Sequence, residues 1–159
     1  MHRVHRSVIV PYRCPQMFAL VRDVAQYPKF LPWCAASHIQ PATDAPADAP
    51  VDASLAGETL VARVDIAYMG VRSSFTTRNV HHGCETIDLT LVDGPFRDLR
   101  GRWSFQPLRE EGCKVTLDLH YRFAAGLLGR VVAPVFEHVA NSLIDAFAQR
   151  ADQIYGTGD

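Results

Sequence analysis

Few residues of this chain have the types and spacing that do chemistry. His81-His82-Gly83-Cys84 brings two imidazoles and a thiol together, ligand types that suit zinc. Adjacent histidines on a strand point to opposite faces, and the spacing names no fourth ligand, so the motif reads as a solvated turn and no metal site is expected. Acid–base work needs carboxylates inside a cleft, but Asp65, Asp88 and Asp118 share the polar parity of their strands. Asp93 has the inward parity and stands at a strand end before Gly94-Pro95, where it suits capping a turn. Cys34, after Trp33, suits a small apolar packing role. The inward polar groups are Tyr68, Ser73, Thr77 and Tyr121, which can orient a carbonyl or hydroxyl but lack a base to activate them. No catalytic residue is expected, and cyclase or dehydratase chemistry is the weakest of the readings considered.

The elements that must position these groups follow from periodicity. His2 to Val10 reads as a strand. Cys14-Pro15 opens a helical stretch with Met17, Phe18, Leu20, Val21 and Val24 at helix spacing. Pro28 and Pro32 restrict Tyr27 to Trp33 to a short helical turn and a bend, a candidate gate that could touch a membrane surface or form a packed corner. A strand over Trp33 to Ile39 follows. Beyond position 59 the period becomes two, through strands carrying Leu60 to Tyr68, Val71 to Thr77, Ile87 to Leu91, Leu99 to Phe105 and Val115 to Phe123. Leu127 to Tyr155 is a long helix with Leu128, Val132, Val135, Val139, Leu143 and Phe147 as its apolar stripe. Pro134 should kink it or break its first turns. The class is α+β: a curved antiparallel sheet of about seven strands, two short helices after the first strand, and a long C-terminal helix to cover the sheet.

The 159 residues suit one domain over 1–159, and 48% hydrophobic residues argue against general disorder. Residues 41–57, rich in Ala, Pro and Asp, read as a flexible loop. A formal charge of −1 disfavours bulk attraction to nucleic acid, and no DNA partner is expected. No apolar run approaches the ~20 residues that span a bilayer, so no transmembrane segment is expected. The chain reads as cytoplasmic, with Cys14, Cys34, Cys84 and Cys113 as reduced thiols far apart in sequence.

A sheet wrapped on one helix often leaves an apolar gap, the usual form of a small-molecule site. Candidates to line it are Phe30, Trp33, Val64, Ile66, Tyr68, Phe75, Leu89, Leu91, Trp103, Phe105, Leu117, Leu119, Tyr121, Val135, Val139 and Leu143. Apolar patterning does not distinguish such a hollow from a filled core. On the opposite parity the sheet carries Arg63, Arg72, Arg78, Arg100, Arg102 and Arg122 against Asp65, Asp88 and Asp118. That excess suits either a solvated face with cross-strand ion pairs or contacts to RNA phosphates.

Several stretches resemble one family. Val10-Pro11-Tyr12, Leu20-Val21-Arg22-Asp23-Val24 and Tyr27-Pro28-Lys29-Phe30-Leu31-Pro32-Trp33-Cys34 look like the opening of the RatA and coenzyme-Q-binding-protein family. Phe75-Thr76-Thr77-Arg78-Asn79 is similar to a second motif, and Leu91-Val92-Asp93-Gly94-Pro95-Phe96 followed by Leu99, Gly101, Trp103, Phe105, Pro107 and Leu108 to a third. Ala146-Phe147, Arg150-Ala151 and Tyr155 are similar to the tail. The insertion at 41–52 and Pro134 depart from the pattern. The resemblance implies a START-type helix-grip fold, of the polyketide cyclase/dehydrase and lipid-transport kind. It implies two functions: binding ubiquinone or a related lipid in support of respiration, or binding the large ribosomal subunit as a toxin that blocks subunit joining. Under the first, bound ubiquinone or lipid replaces any cofactor and the protein sits transiently at the inner membrane surface. Under the second, Arg72, Arg78, Arg100 and Arg102 are the candidate ribosome contacts.

Overall fold

Apolar residues that alternate form strands when one face can be buried, and those recurring every three or four positions form helices. The computed structural model describes residues 2–41, 59–109 and 112–156. Its elements are β1 (His2–Val10), α1 (Cys14–Arg22), a 3₁₀ turn (Val24–Lys29), β2 (Cys34–Pro41), β3 (Thr59–Tyr68), β4 (Val71–His82), β5 (Thr86–Asp93), β6 (Phe96–Leu108), β7 (Gly112–Phe123) and α2 (Leu127–Tyr155). The loop expected over 41–57 lies outside the described residues except for Pro41, which ends β2.

The seven strands form one antiparallel sheet in the order β1-β7-β6-β5-β4-β3-β2. From β2 onward each strand pairs with the next, and β7 closes back on β1 with Val10 opposite Cys113. The β3–β4 turn is Met69-Gly70, with φ of 53° and 81°, the positive pair that a two-residue hairpin demands. Register shifts at Cys34/Ala36, Thr76/Thr77 and Phe96/Asp98 add local bends and twist. Gly101 serves the same curvature from mid-strand. A Cβ there would lie 2.7 Å from Leu119 Cδ1 and 3.1 Å from the Asp118 carbonyl oxygen, so a side chain at this position must push Leu119 aside and crowd the β7 backbone.

α1 buries Cys14, Met17, Phe18 and Val21, the i, i+3, i+4, i+7 face of one helix. Its Gln16 side chain accepts the Arg13 N–H at 2.8 Å. α2 packs on the apolar face of the sheet and on α1. Its buried face is wider than the expected stripe: Phe136, Ala140, Ile144 and Ala151 join Val132, Val135, Val139 and Phe147, while Leu143 is partly buried. The Leu128 side chain lies outside the described residues.

Of the two outcomes expected at Pro134, a break is excluded: α2 runs from Leu127 to Tyr155 through Pro134, which is exposed, and the ring removes a single N–H donor. By length and composition alone Arg130–Tyr155 could cross a membrane, with mean hydropathy 1.2, a property that helices covering a protein core share. Glu137, His138, Asn141 and Asp145 interrupt its apolar residues, and the apolar side is the one that covers the sheet.

Candidate functional site

The interior between α2 and the sheet is not completely filled. A cavity of about 80 Å³ remains, lined by Val21, Val24, Tyr27 and Trp33 from α1 and the bend after it. Ala62 and Val64 of β3, Phe75, Thr77 and Asn79 of β4, and Ile87 and Leu89 of β5 form the next walls. Leu99 and Trp103 of β6, Leu117 and Leu119 of β7, and Phe136, Val139, Leu143 and Phe147 of α2 complete it. The four α2 residues recur at helix spacing along one stripe, about 16 Å from Phe136 to Phe147. At ~24 cal/mol per Å³ of void, leaving this space open costs about 2 kcal/mol. The volume is well below the ~300–1,000 Å³ of pockets that swallow drug-sized ligands.

Aromatic rings gather at both ends of this stripe. Phe136 meets Phe96 and Tyr121, each at 4.8 Å between centroids, and Phe75 at 5.8 Å. Phe147 meets Tyr27, Phe30 and Trp103, each at 5.3 Å. Edge-to-face rings of this kind are rigid and well packed, so the free volume is held between two aromatic clusters.

The polar groups in the wall are few. Thr77 Oγ1 donates to Asn79 Oδ1 at 2.7 Å, and both residues are buried. The Tyr27 hydroxyl donates to the Val21 carbonyl, and burial pushes its pKa far above that of an ordinary phenol. No carboxylate, imidazole, ammonium, guanidinium or thiol stands among the described lining residues. Cys34 is buried just behind Trp33, its thiol donating to the Ala36 carbonyl at 3.5 Å, and burial raises its pKa to about 11. That thiol is a poor nucleophile at neutral pH.

The expected lining residues divide. Trp33, Val64, Phe75, Leu89, Trp103, Leu117, Leu119, Val139 and Leu143 do border the cavity. Phe30, Ile66, Tyr68, Leu91, Phe105, Tyr121 and Val135 do not. Phe30 lies against Phe147 and beneath the Arg150 guanidinium, 5.2 Å from its ring centre. Tyr68 stacks on His138 at 4.8 Å, Phe105 packs on Phe18 at 5.6 Å, and Tyr121 joins the Phe136 cluster. Leu91 follows the register shift in the β4–β5 ladder and is partly exposed. Ile66 and Val135 are buried in the core beside the void without bordering it. Alternation gives the face of a residue but not its height along the sheet, and height decides which side chains meet empty space.

Sequence reasoning missed Val21, Val24, Tyr27, Ala62, Asn79, Ile87, Leu99, Phe136 and Phe147 as lining residues. Extending the β4 alternation by two steps past Thr77 would have found Asn79 and then His81. His81 is a correction: it is 2% exposed inside β4, edge-on to Phe18 at 5.5 Å, not part of a solvated turn. Of the two histidines only His82 is exposed, 3.2 Å from Asp88. Asp93 does cap its turn, accepting the Gly94 N–H at 3.0 Å. The Tyr27 to Trp33 segment, read as a gate or a packed corner, has Leu31 and Trp33 buried, while Pro28, Lys29 and Pro32 face out.

On the outer face, Arg102 is held by Asp88 at 2.6 Å and Arg63 by Asp65 at 2.9 Å. Arg3 contacts Asp118 at 3.2 Å, with His120 at 3.4 Å and His5 at 3.8 Å from the same carboxylate. Hydrogen bonds from Arg102 and Arg3 hold the Asp88 and Asp118 carboxyls below the usual range. Arg72, Arg100 and Arg122 have no carboxylate partner among the described residues, whereas Arg78 makes contacts of its own. Arg100 and Arg102 border an open depression of about 420 Å³ with Asp88, Thr90, Asp118 and His120.

Known proteins share this arrangement. Residues 10–148 match the family described as polyketide cyclase / dehydrase and lipid transport. The ribosome association toxin RatA of Pseudomonas aeruginosa is 38% identical, covering 96% of this chain and 97% of its own. The mitochondrial coenzyme Q-binding protein coq10 of Schizosaccharomyces pombe is 27% identical, covering 91% of this chain and 84% of its own. The crystal structure of the Zhui aromatase/cyclase from Streptomyces superposes with a TM-score of 0.76 over 99% of both chains, at 14% identity. Full-length alignment, the seven-stranded meander and the single covering helix together place the chain in the polyketide cyclase / dehydrase and lipid-transport family, among the START-type helix-grip proteins that include RatA and the coenzyme Q-binding proteins.

Proposed function

We propose that this protein is a non-enzymatic binder of a hydrophobic small molecule, of the ubiquinone or related lipid class, held between α2 and the sheet. The observation that carries the reading is an apolar void whose described wall offers one side chain–side chain hydrogen bond, the buried Thr77–Asn79 pair. Asn79 accepts from Thr77 through its oxygen, which leaves its amide N–H groups to donate to a ligand carbonyl. Apolar contact supplies the affinity at ~25 cal/mol per Å² buried. The wall has no acid–base pair to drive a cyclisation. A cavity of about 80 Å³ suits a ring-sized headgroup, and a prenyl tail requires the α1 corner and α2 to part. The test is organic extraction of natively purified protein followed by mass spectrometry. A stoichiometric quinone or lipid, lost on Asn79→Leu, is expected; an empty extract from protein purified out of quinone-rich cells overturns the reading.

A second reading is favoured by a separate observation, the 38% identity to RatA over nearly the whole chain. In it the protein acts in the cytoplasm on the large ribosomal subunit, using the outer sheet face. Arg72 and Arg100, free of carboxylate partners among the described residues, suit phosphate contacts better than Arg102, which Asp88 already neutralises. Cosedimentation with large subunits, weakened by Arg72→Glu with Arg100→Glu, is the expected result. Unchanged cosedimentation removes that face from the contact.

A further inference from the structure

Cys14 and Cys113 are separated by 99 residues, yet their Sγ atoms lie 2.7 Å apart, inside ordinary nonbonded contact. Both are free thiols and both are buried. The approach follows from the fold. Val10 of β1 pairs with Cys113 of β7, and the chain then turns through Tyr12 so that Cys14, opening α1, comes back over that pair. The corner is anchored from a third side, because the Tyr12 hydroxyl donates to Asp152 and Tyr155 to the Gln16 carbonyl near the end of α2. Two sulfurs held this close, one at the start of α1 and one on β7, need only lose two hydrogens to join.

We propose that Cys14 and Cys113 form an internal disulfide under peroxide, clipping the start of α1 to β7. Cys14 attacks first. It is 7% exposed against 0% for Cys113, so peroxide reaches its sulfur first. Its sulfur takes one oxygen of hydrogen peroxide as the O–O bond breaks; the departing hydroxide with the thiol proton makes water. The Cys113 sulfur then attacks the Cys14 sulfenic sulfur, the S–O bond breaks, and the hydroxyl leaves as water with the Cys113 proton. Two thiols are oxidised to one disulfide, and one peroxide is reduced to two waters. Burial, followed by the neighbouring Cys14 thiol, raises the Cys113 pKa, which keeps Cys113 the second sulfur to react. The clip fixes the first residue of the helix that ends near the cavity-lining Val21.

The test treats full-length protein with hydrogen peroxide, alkylates remaining thiols after denaturation, and maps non-reduced peptides by mass spectrometry. A peptide joining Cys14 to Cys113, two hydrogens lighter than the reduced pair, is expected in the wild type and in Cys84→Ser, whose exposed thiol is removed. It should be absent in Cys113→Ser, where Cys14 instead stops as a sulfenic acid. The oxidised protein should melt on the order of 5–10 °C higher, reversed by dithiothreitol. Both thiols still alkylated after oxidation of Cys84, or Cys14 linked to another chain, overturns the proposal.

Discussion

At the scale of single residues, Gly101 shows how little freedom the curved sheet leaves. A methyl group at that position would overlap Leu119 Cδ1, so Gly101→Ala should destabilise the fold by about 1–3 kcal/mol, read from urea denaturation. Leu119 borders the cavity, so the same variant should also disturb ligand uptake. The outer-face ion pairs make a different prediction. Asp88 and Asp118 have depressed folded-state pKa values, so their contribution is present above the unfolded carboxylate pKa and is lost as pH falls through the lower folded value. Both are about one-third exposed, so the effect is small. Carboxyl NMR titration should show the Asp118 pKa rising in Arg3→Ala while Asp88 stays in place. Asp93 as a turn cap was legible in the sequence because Gly94-Pro95 follows it. The Cys14–Cys113 approach was not, because it depends on a pairing between the first and last strands that no local pattern encodes.

At the scale of elements, periodicity gave strand faces and helix bounds with little loss. Leu127–Tyr155 is one helix as the 3.6-residue pattern required, and Met69-Gly70 turns the β3–β4 hairpin. The cavity wall was harder to read. Val64, Trp103 and Leu117 border the void, while Ile66, Phe105 and Tyr121 share their parity but pack at other heights. Register shifts in β2, β4 and β6 move those heights, and their positions depend on partner strands. Phe136 and Phe147 were the more consequential part of the problem, since the two ring clusters on α2 bracket the space between them. Phe136→Ala should open one end, cost about 3–5 kcal/mol, and enlarge the set of quinone analogues that bind, measured by denaturation and by competition.

At the scale of the whole molecule, sheet and helix enclose a small, mostly apolar space and present a charged outer face. The two faces serve the two functional readings, and the intervening sheet lets them be tested separately. Outer-face substitutions at Arg72 and Arg100 should leave ligand content unchanged, while cavity substitutions should leave ribosome cosedimentation unchanged; movement of both by either set would mean that ligand and ribosome binding are linked. The central claim is that the void under α2 is the binding site. Ala62 borders it with a single methyl, so Ala62→Leu fills it with carbon and keeps the fold. Trp33 and Trp103 stand in the same wall and are the protein's two tryptophans, so quenching by a short-chain quinone reports occupancy directly. The decisive measurement is that titration on wild type and Ala62→Leu, with thermal melts of both. Saturable quenching in the wild type, at least tenfold weaker in a variant that melts no lower, is the predicted result. Equal quenching in the two proteins would contradict the account.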